Sequence, residues 1–565
     1  MTHTIYILSI CICALNISVF SQEKRDPDFL IPVNIPVLLS ANFGELRPNH
    51  FHTGIDIKTQ KITGKSVIAI DNGYVSRISI SPYGYGRAVY ITHPSGHISV
   101  YGHLTSFSPK IDAYLTRYQY KEKTHSANIF IPTHAIPVSR GEEIGKSGNS
   151  GSSGGPHVHF EIRDSANKAI NPLLFYPQID DYAFPRIQSF YLYNLDSNLI
   201  QHKTKRYRAI QKSPGNYTIP GPISTQGLIG FGIRGNDKIH NVHHIFGYHT
   251  VSLTCNDSLL YKRKTDTISF HESRDINSLL DYKAFAFHRR YIEKLYVEPN
   301  NELSIYSARN NGLLVEQSKN YHCTVKVQDY HKNTAQLDFT ILCDTNSYAL
   351  KIQDTIYSYA HDFSFKKEGF SFRSDSASFY KDFLFDVAID STHTETEFSP
   401  RYTISSSEFT LKKEAHISIQ STIPDSLRTY GIIRYVSQRN RRRTLQTAIT
   451  PDGKAHTHTQ KIGTYSVVID TVSPIINRVN FKDGSNIQNK KHISFRMYDN
   501  LSGIAEYAAY IDSKWCVLYF DAKYAYVTLD LAKAPISESN TEHSLVLFAK
   551  DAVGNTTKKE YTFYW

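Results

Sequence analysis

Short runs in which apolar and polar residues alternate with period two, cut apart by turn residues, dominate this chain from about residue 40 to its end. Val67-Ile68-Ala69-Ile70, Gly73-Tyr74-Val75-Ser76-Arg77-Ile78 and Ala88-Val89-Tyr90-Ile91-Thr92 read as strands, and Pro94-Ser95-Gly96 turns the last of them into Ile98-Ser99-Val100-Tyr101. Beyond about residue 180 the pattern continues, with no long helical periodicity and no heptad repeat. The 39 tyrosines and 30 phenylalanines, against two tryptophans and two methionines, suit half-buried pleated surfaces. An all-β fold built of antiparallel sheets is therefore expected. At 565 residues it must be divided among several hydrophobic cores, roughly three to four.

The N-terminus is apolar from Ile5 to Phe20 and then turns polar at Ser21-Gln22-Glu23-Lys24. It reads as an export signal over residues 1–21, too short for a full membrane span, and no later segment could cross a bilayer. The expected location is outside the cytoplasm: periplasm or cell envelope, or secreted. A first domain is expected over residues 22–175, a β-sandwich over 180–345, a β-rich domain over 346–470 and a last sandwich over 471–565, its boundary marked by Asp470-Thr471-Val472-Ser473-Pro474. Within the first domain, Asp112 to Pro137 reads as an insertion or lid loop over the cleft.

The net charge of +11 favours anionic polymers without choosing among them. The densest basic cluster, Arg439-Asn440-Arg441-Arg442-Arg443, lacks interleaved aromatics and reads as a solvated loop, so no nucleic-acid partner is expected. Cys11 and Cys13 would leave with the signal. Cys255, Cys323, Cys343 and Cys516 then allow three pairings, with Cys323 and Cys343, which flank one strand-rich stretch, as the expected pair. None has metal-ligand spacing.

Chemistry concentrates in three stretches: His50-Phe51-His52-Thr53-Gly54-Ile55-Asp56, Tyr101-Gly102-His103-Leu104 and Gly154-Gly155-Pro156-His157-Val158-His159-Phe160-Glu161. Imidazole and carboxylate are the ligands a catalytic zinc takes, three protein groups leaving one position open. His157 and His159, two apart on a strand, project from one face, so one can bind metal while the other faces substrate. The glycine-rich run from Gly145 to Gly155 allows close backbone approach. It is not a phosphate loop, because the leading glycine position is Arg140 and more glycine follows instead of a helix. His456-Thr457-His458 repeats the His-x-His spacing without partners and reads as surface decoration. His240, His243 and His244 cluster without a carboxylate at ligand spacing.

Together the three stretches resemble the lysostaphin/LytM-type zinc metalloendopeptidases, which cut the peptides of bacterial peptidoglycan. The resemblance covers about residues 40 to 170 and includes Asn42-Phe43-Gly44-Glu45-Leu46-Arg47 and Gly141-Glu142-Glu143-Ile144-Gly145. It implies a Zn2+ ion held by His52, Asp56 and His159, with His103 and His157 as non-ligand catalytic histidines. Which of the two serves as general base stays open. His50 lies two before His52, but the His-to-Asp spacing of four favours His52, leaving His50 beside the site or exposed. The implied substrate is a peptidoglycan peptide cross-link. Two other functions fit the residues: a non-hydrolytic LytM-type module that binds wall material or activates a hydrolase, and a surface binding protein acting through its β-rich tail.

Two tail segments, Val325 to Thr334 and Leu547 to Thr556, share a strand ending in Asp, a three-residue turn and Asn-Thr, which resembles the last hairpin of bacterial immunoglobulin-like sandwiches. Asp329…Asn333 and Asp551…Asn555 each offer too few local oxygens for calcium and read as turn chemistry. No cofactor beyond zinc is implied.

Overall fold

The structure, a computed structural model, describes residues 28–239, 244–317, 319–344, 355–392, 396–405, 409–536 and 541–565. The export signal expected over residues 1–21 and His240 and His243 lie outside the described residues. The fold is all-β, and among the described residues no helix is long and apolar enough to cross a membrane.

The first unit is built on a ten-stranded sheet. Its principal elements are β1 (Leu39–Ala41), β2 (Ile55–Lys58), β3 (Gly73–Ile80), β4 (Arg87–Thr92), β5 (Ile98–Leu104), α1 (Pro109–Glu122), β6 (Ala127–Phe130) and β7 (His157–Arg163). Neighbours run β1-β2-β7-β5-β4-β3-β6, all antiparallel, so the three motif stretches, far apart in sequence, arrive on or beside the adjacent strands β2, β7 and β5. Alternate side chains of these strands, among them Ile55, Ile57, Tyr101, Val158 and Phe160, join one core beneath the sheet.

The region expected to be a lid is not one. Residues Pro109–Glu122 form α1, begun by Pro109 at the first helical turn and closed by Lys123 at φ 49°. Ile111, Leu115 and Gln119 are buried against the core, and β6 then pairs with β3 at the end of the sheet away from β2 and β7. The apolar stripe is narrow, with only two strongly apolar positions four apart, which hid the helix among charged and polar neighbours.

Three further cores follow, each between two sheets: one spanning Ile187 to Ile341, one spanning Phe363 to Val467 and one spanning Ile476 to Phe563. The second unit also carries short helices, Ile276–Leu279 and Tyr282–His288. Its only disulfide among the described residues joins Cys255 to Cys323, not Cys323 to Cys343. Register explains the difference. Cys255 and Cys323 are direct cross-strand partners, whereas in the neighbouring hairpin Cys323 faces Phe339, four residues from Cys343.

The units are not beads on a string. Thr267–Ile268 of the second unit adds to the first unit's sheet beside Ala169–Ile170, and Phe43 and Phe51 pack with Ile268, Ile276 and Leu280 in a junction core. The last unit folds back on α1. There Lys533 Nζ meets Asp112 at 2.7 Å, and His125 is stacked between Tyr507 and Trp515, at 4.7 and 4.9 Å between ring centroids.

Candidate metal centre

His159 on β7 is the direct cross-strand neighbour of Asp56 on β2, which sets both side chains on one face and close together. His52, four residues before Asp56, reaches the same point from the turn that leads into β2. His52 Nε2 lies 3.1 Å from Asp56 Oδ1 and 3.1 Å from His159 Nδ1, and His159 Nδ1 lies 2.9 Å from Asp56 Oδ1. All three residues are largely withdrawn from solvent.

The protons on these rings follow from what the other nitrogens touch. His52 Nδ1 sits 2.7 Å from the Asn42 carbonyl oxygen, which can only accept, so Nδ1 carries the hydrogen and Nε2 presents a lone pair. His159 Nε2 donates to the carboxylate of Glu161 at 2.8 Å, leaving Nδ1 bare. Three acceptors therefore face one another at 2.9 to 3.1 Å with no donor among them. A shared proton or a cation must bridge them. Burial alone would lower the His159 pKa, but Asp56 and Glu161 outweigh it and raise the ring to about 9. Two imidazoles and a carboxylate are the donor set zinc takes. A tetrahedron of ligands about 2.0 to 2.2 Å from an ion has edges of about 3.3 to 3.6 Å, so a small expansion of this triangle would seat zinc.

His103 and His157 flank the triangle. Their ring centroids are 4.7 Å apart, and His157 Nε2 is 3.4 Å from Asp56 Oδ1. Each donates Nδ1–H to a carbonyl of the glycine-rich loop, His103 to Ser150 and His157 to Gly155, both at 2.8 Å, so each keeps Nε2 as an acceptor. Burial pushes the His103 ring down to about 3, with the His159 and His157 rings adding to the effect. His103 also holds φ at 59°, a left-handed conformation unusual for a histidine. Gly148 allows the loop to come this close: a Cβ there would lie 2.4 Å from Thr105 N and 2.6 Å from His103 O.

All five residues singled out in the sequence converge. His50 is exposed, with Nδ1 bonded to the Pro48 carbonyl, and stands outside the triangle. Other participants were not singled out. Glu161 is fully buried, accepts from Thr53, Tyr85 and His159, and is held by Arg163 at 2.6 to 2.7 Å. Burial alone would raise its pKa, but Arg163 and His159 hold it well below the usual carboxylate range. Asn42 works through its backbone, and its side-chain amide is clamped both ways to Gly247 of the second unit at 3.1 Å. A carboxylate two residues after a strand histidine was the available signal for Glu161; nothing in the sequence marks a backbone carbonyl.

His52, Asp56 and His159 thus form a group that could hold a metal ion. Residues 50–120 match the model of peptidase family M23, and residues 354–470 match a Zu5-like domain. The chain thus carries an M23 peptidase domain followed by further β-domains. An uncharacterized metalloprotease of Haemophilus influenzae is 31% identical over 130 residues, 23% of this chain and 21% of that protein. The DD-carboxypeptidase/endopeptidase Mpg of Neisseria meningitidis is 32% identical over 157 residues, 27% of this chain and 30% of that protein. The chain spans under a third of the length of these curated relatives. Among solved structures, the catalytic domain of the M23 protein EnpA from Enterococcus faecalis is 27% identical with a TM-score of 0.18, covering 24% of this chain and 89% of that one.

Proposed function

We infer that this chain is a zinc-dependent endopeptidase that hydrolyses the peptide cross-links of bacterial peptidoglycan, outside the cytoplasm. The observation that carries the reading is the triangle of His52 Nε2, Asp56 Oδ1 and His159 Nδ1, three facing acceptors with two further histidines beside them. In this reading His52, Asp56 and His159 hold the ion. When bound, zinc would polarise the scissile carbonyl and acidify a water molecule.

The remaining steps belong to the chain. His103 and His157, each with Nδ1–H committed to a loop carbonyl, offer Nε2 to take a proton from water and return it to the leaving amine. Burial keeps His103 neutral at pH 7 and makes it a weaker proton acceptor than an ordinary imidazole, which suits it to orienting the water through Nε2. Glu161 fixes the His159 ring so that Nδ1 faces the ion. The peptidoglycan substrate is taken from the Neisseria relative named DD-carboxypeptidase/endopeptidase and from the motif resemblance. We assign this chemistry to residues 22–175, with division of the remainder near 345 and 470.

Purified protein with zinc should release new amino termini from peptidoglycan, and His52→Ala should abolish that release. Activity surviving the substitution would overturn the assigned site. A zinc-loaded wild type that binds peptidoglycan without releasing termini would instead support a wall-binding or hydrolase-activating module.

A further inference from the structure

A cleft of about 1210 Å3 lies between the peptidase unit and the last unit, and none of the five residues of the candidate centre lines it. Small-molecule sites occupy roughly 300 to 1,000 Å3, so this space is large enough for a peptide. One wall is a sheet face. In the last unit the strands His492–Tyr498, Tyr526–Asp530 and Leu518–Asp521 are neighbours. Ile493, Val527, Leu529 and Leu518 turn into that unit's core, so the alternate residues His492, Thr528, Tyr519 and Asp521 face the cleft.

The other wall belongs to the peptidase unit: Arg87 at the start of β4, the segment from Thr105 to Phe107, and Ser150 and Gly151 of the glycine-rich loop. Contacts hold the two walls together at two places. Lys533 Nζ donates to Asp112 at 2.7 Å and to the Tyr519 hydroxyl at 3.1 Å, and Lys523 Nζ donates to the carbonyls of Asn149 and Ser153.

The lining carries charge of both signs that the protein leaves unspent. Among the described residues, Lys533 with Asp112 is the only ion pair within the lining. Arg87 lies over the Tyr519 ring, 4.4 Å from its centroid, and neither it nor Lys490 nor Lys491 meets a carboxylate. Asp521 and Asp530 each give Oδ1 to one backbone N–H, of Lys523 and Ala532, both at 3.1 Å, and keep Oδ2 open. A polyanion would be drawn to the three cations but repelled by the two aspartates. A peptide bearing both carboxylate and ammonium groups matches both sets.

The cleft also reaches the catalytic loop. Arg87 N–H donates to Ser150 Oγ at 2.9 Å, that hydroxyl donates to the Leu104 carbonyl at 2.8 Å, and the Ser150 carbonyl accepts from His103. An occupant resting on Ser150 and Gly151 therefore touches the loop that orients His103.

We propose that the cleft holds the second peptide arm of a cross-linked substrate, the arm not presented to the metal centre, with its carboxylates at Arg87, Lys490 and Lys491 and its free ammonium group at Asp521 and Asp530. The proposal rests on the peptidase reading given above. It gives the last unit a part in recognising cross-linked peptides, because that unit supplies a wall which the peptidase unit alone lacks.

The probe is a cross-linked peptide dimer purified from peptidoglycan, titrated calorimetrically into the full chain stripped of zinc so that nothing is cut. Lys490→Glu with Lys491→Glu should weaken binding about 10-fold, and acetylating the dimer's free amines should weaken binding to the wild type but not to Asp521→Asn with Asp530→Asn. In the zinc-loaded chain the lysine variant should raise KM for the dimer by the same factor and leave kcat unchanged. Unchanged affinity in the lysine variant, no effect of acetylation, or tighter binding of polyphosphate than of the dimer overturns the proposal. If the zinc-loaded wild type cuts nothing while the lysine variant still loses the dimer, the peptidase reading fails and the cleft stands; if the dimer is cut with KM unmoved in the variant, the cleft fails and the peptidase reading stands. Should the lysine variant not fold, Arg87→Gln, whose backbone N–H still serves Ser150, takes its place in each measurement.

Discussion

Acid should loosen the last unit from the peptidase unit, and the reason is one histidine. His125 accepts from Leu518 N at Nδ1 (3.0 Å) and donates from Nε2 to the Tyr507 carbonyl (3.0 Å), so the docked ring must be neutral. Burial lowers its pKa from an ordinary 6.5 to about 4, the Tyr507 carbonyl opposing only part of the shift. The docked state therefore binds fewer protons than the undocked one. Its contribution is fully present above pH 6.5 and is lost as pH falls from there through 4. Between pH 7.5 and 5.0 the docking constant should fall about 30-fold, worth about 2 kcal/mol.

Native-state hydrogen exchange at the Leu518 amide reads this directly, because that N–H is the one bonded to His125. Corrected for the intrinsic pH dependence of exchange, its protection should drop about 30-fold over this interval. His125→Gln, which keeps a donor and an acceptor but cannot titrate, should flatten the profile. Unchanged protection at pH 5.0, or the same fall in His125→Gln, would refute the argument.

Three other perturbations probe the site and its supports. Glu161→Gln should weaken zinc binding about 10- to 100-fold, measured by competition with a chromophoric chelator, because the group orienting His159 loses its charge; unchanged affinity would remove Glu161 from that role. Gly148→Ala should lower turnover about 100-fold while leaving zinc content intact, since the added Cβ would push on Thr105 and His103 but not on the three ligands; loss of zinc instead would count against that separation. Replacing Cys255 and Cys323 together by alanine should cost about 4 kcal/mol on the chain-entropy estimate for a sequence separation of 68, seen as a lower denaturation midpoint of the second unit; an unchanged midpoint would show that the link adds nothing there.

The legibility of this protein divides along the line between local and non-local information. The site was readable because each motif carries its own spacing: His52 to Asp56 across one turn, His157 to His159 along one strand face. The strands of the first unit were readable from their alternation, and β3, β4 and β5 fall where the sequence put them. What escaped depends on register and on partners distant in sequence. The disulfide follows from Cys255 lying opposite Cys323. The helix α1 escaped for the opposite reason, its local signal being too weak to stand out.

The long β-rich tail, whose purpose the sequence leaves open, meets the centre from two sides. Asn42, whose carbonyl sets the His52 tautomer, is held by both atoms of its amide to Gly247 of the second unit, and the Phe51 backbone N–H before His52 donates to Ser273 there. From the last unit, Lys523 donates to the Asn149 and Ser153 carbonyls of the glycine-rich loop, whose Ser150 carbonyl accepts the hydrogen bond from His103 Nδ1–H. The loop is thus gripped from outside by the tail and from inside by the candidate catalytic histidine. A free peptidase unit would keep its sheet but lose both supports, one beneath a candidate ligand and one behind a candidate base. Zinc affinity and turnover would then respond separately to the two: the second unit acts through His52, and the last unit through His103.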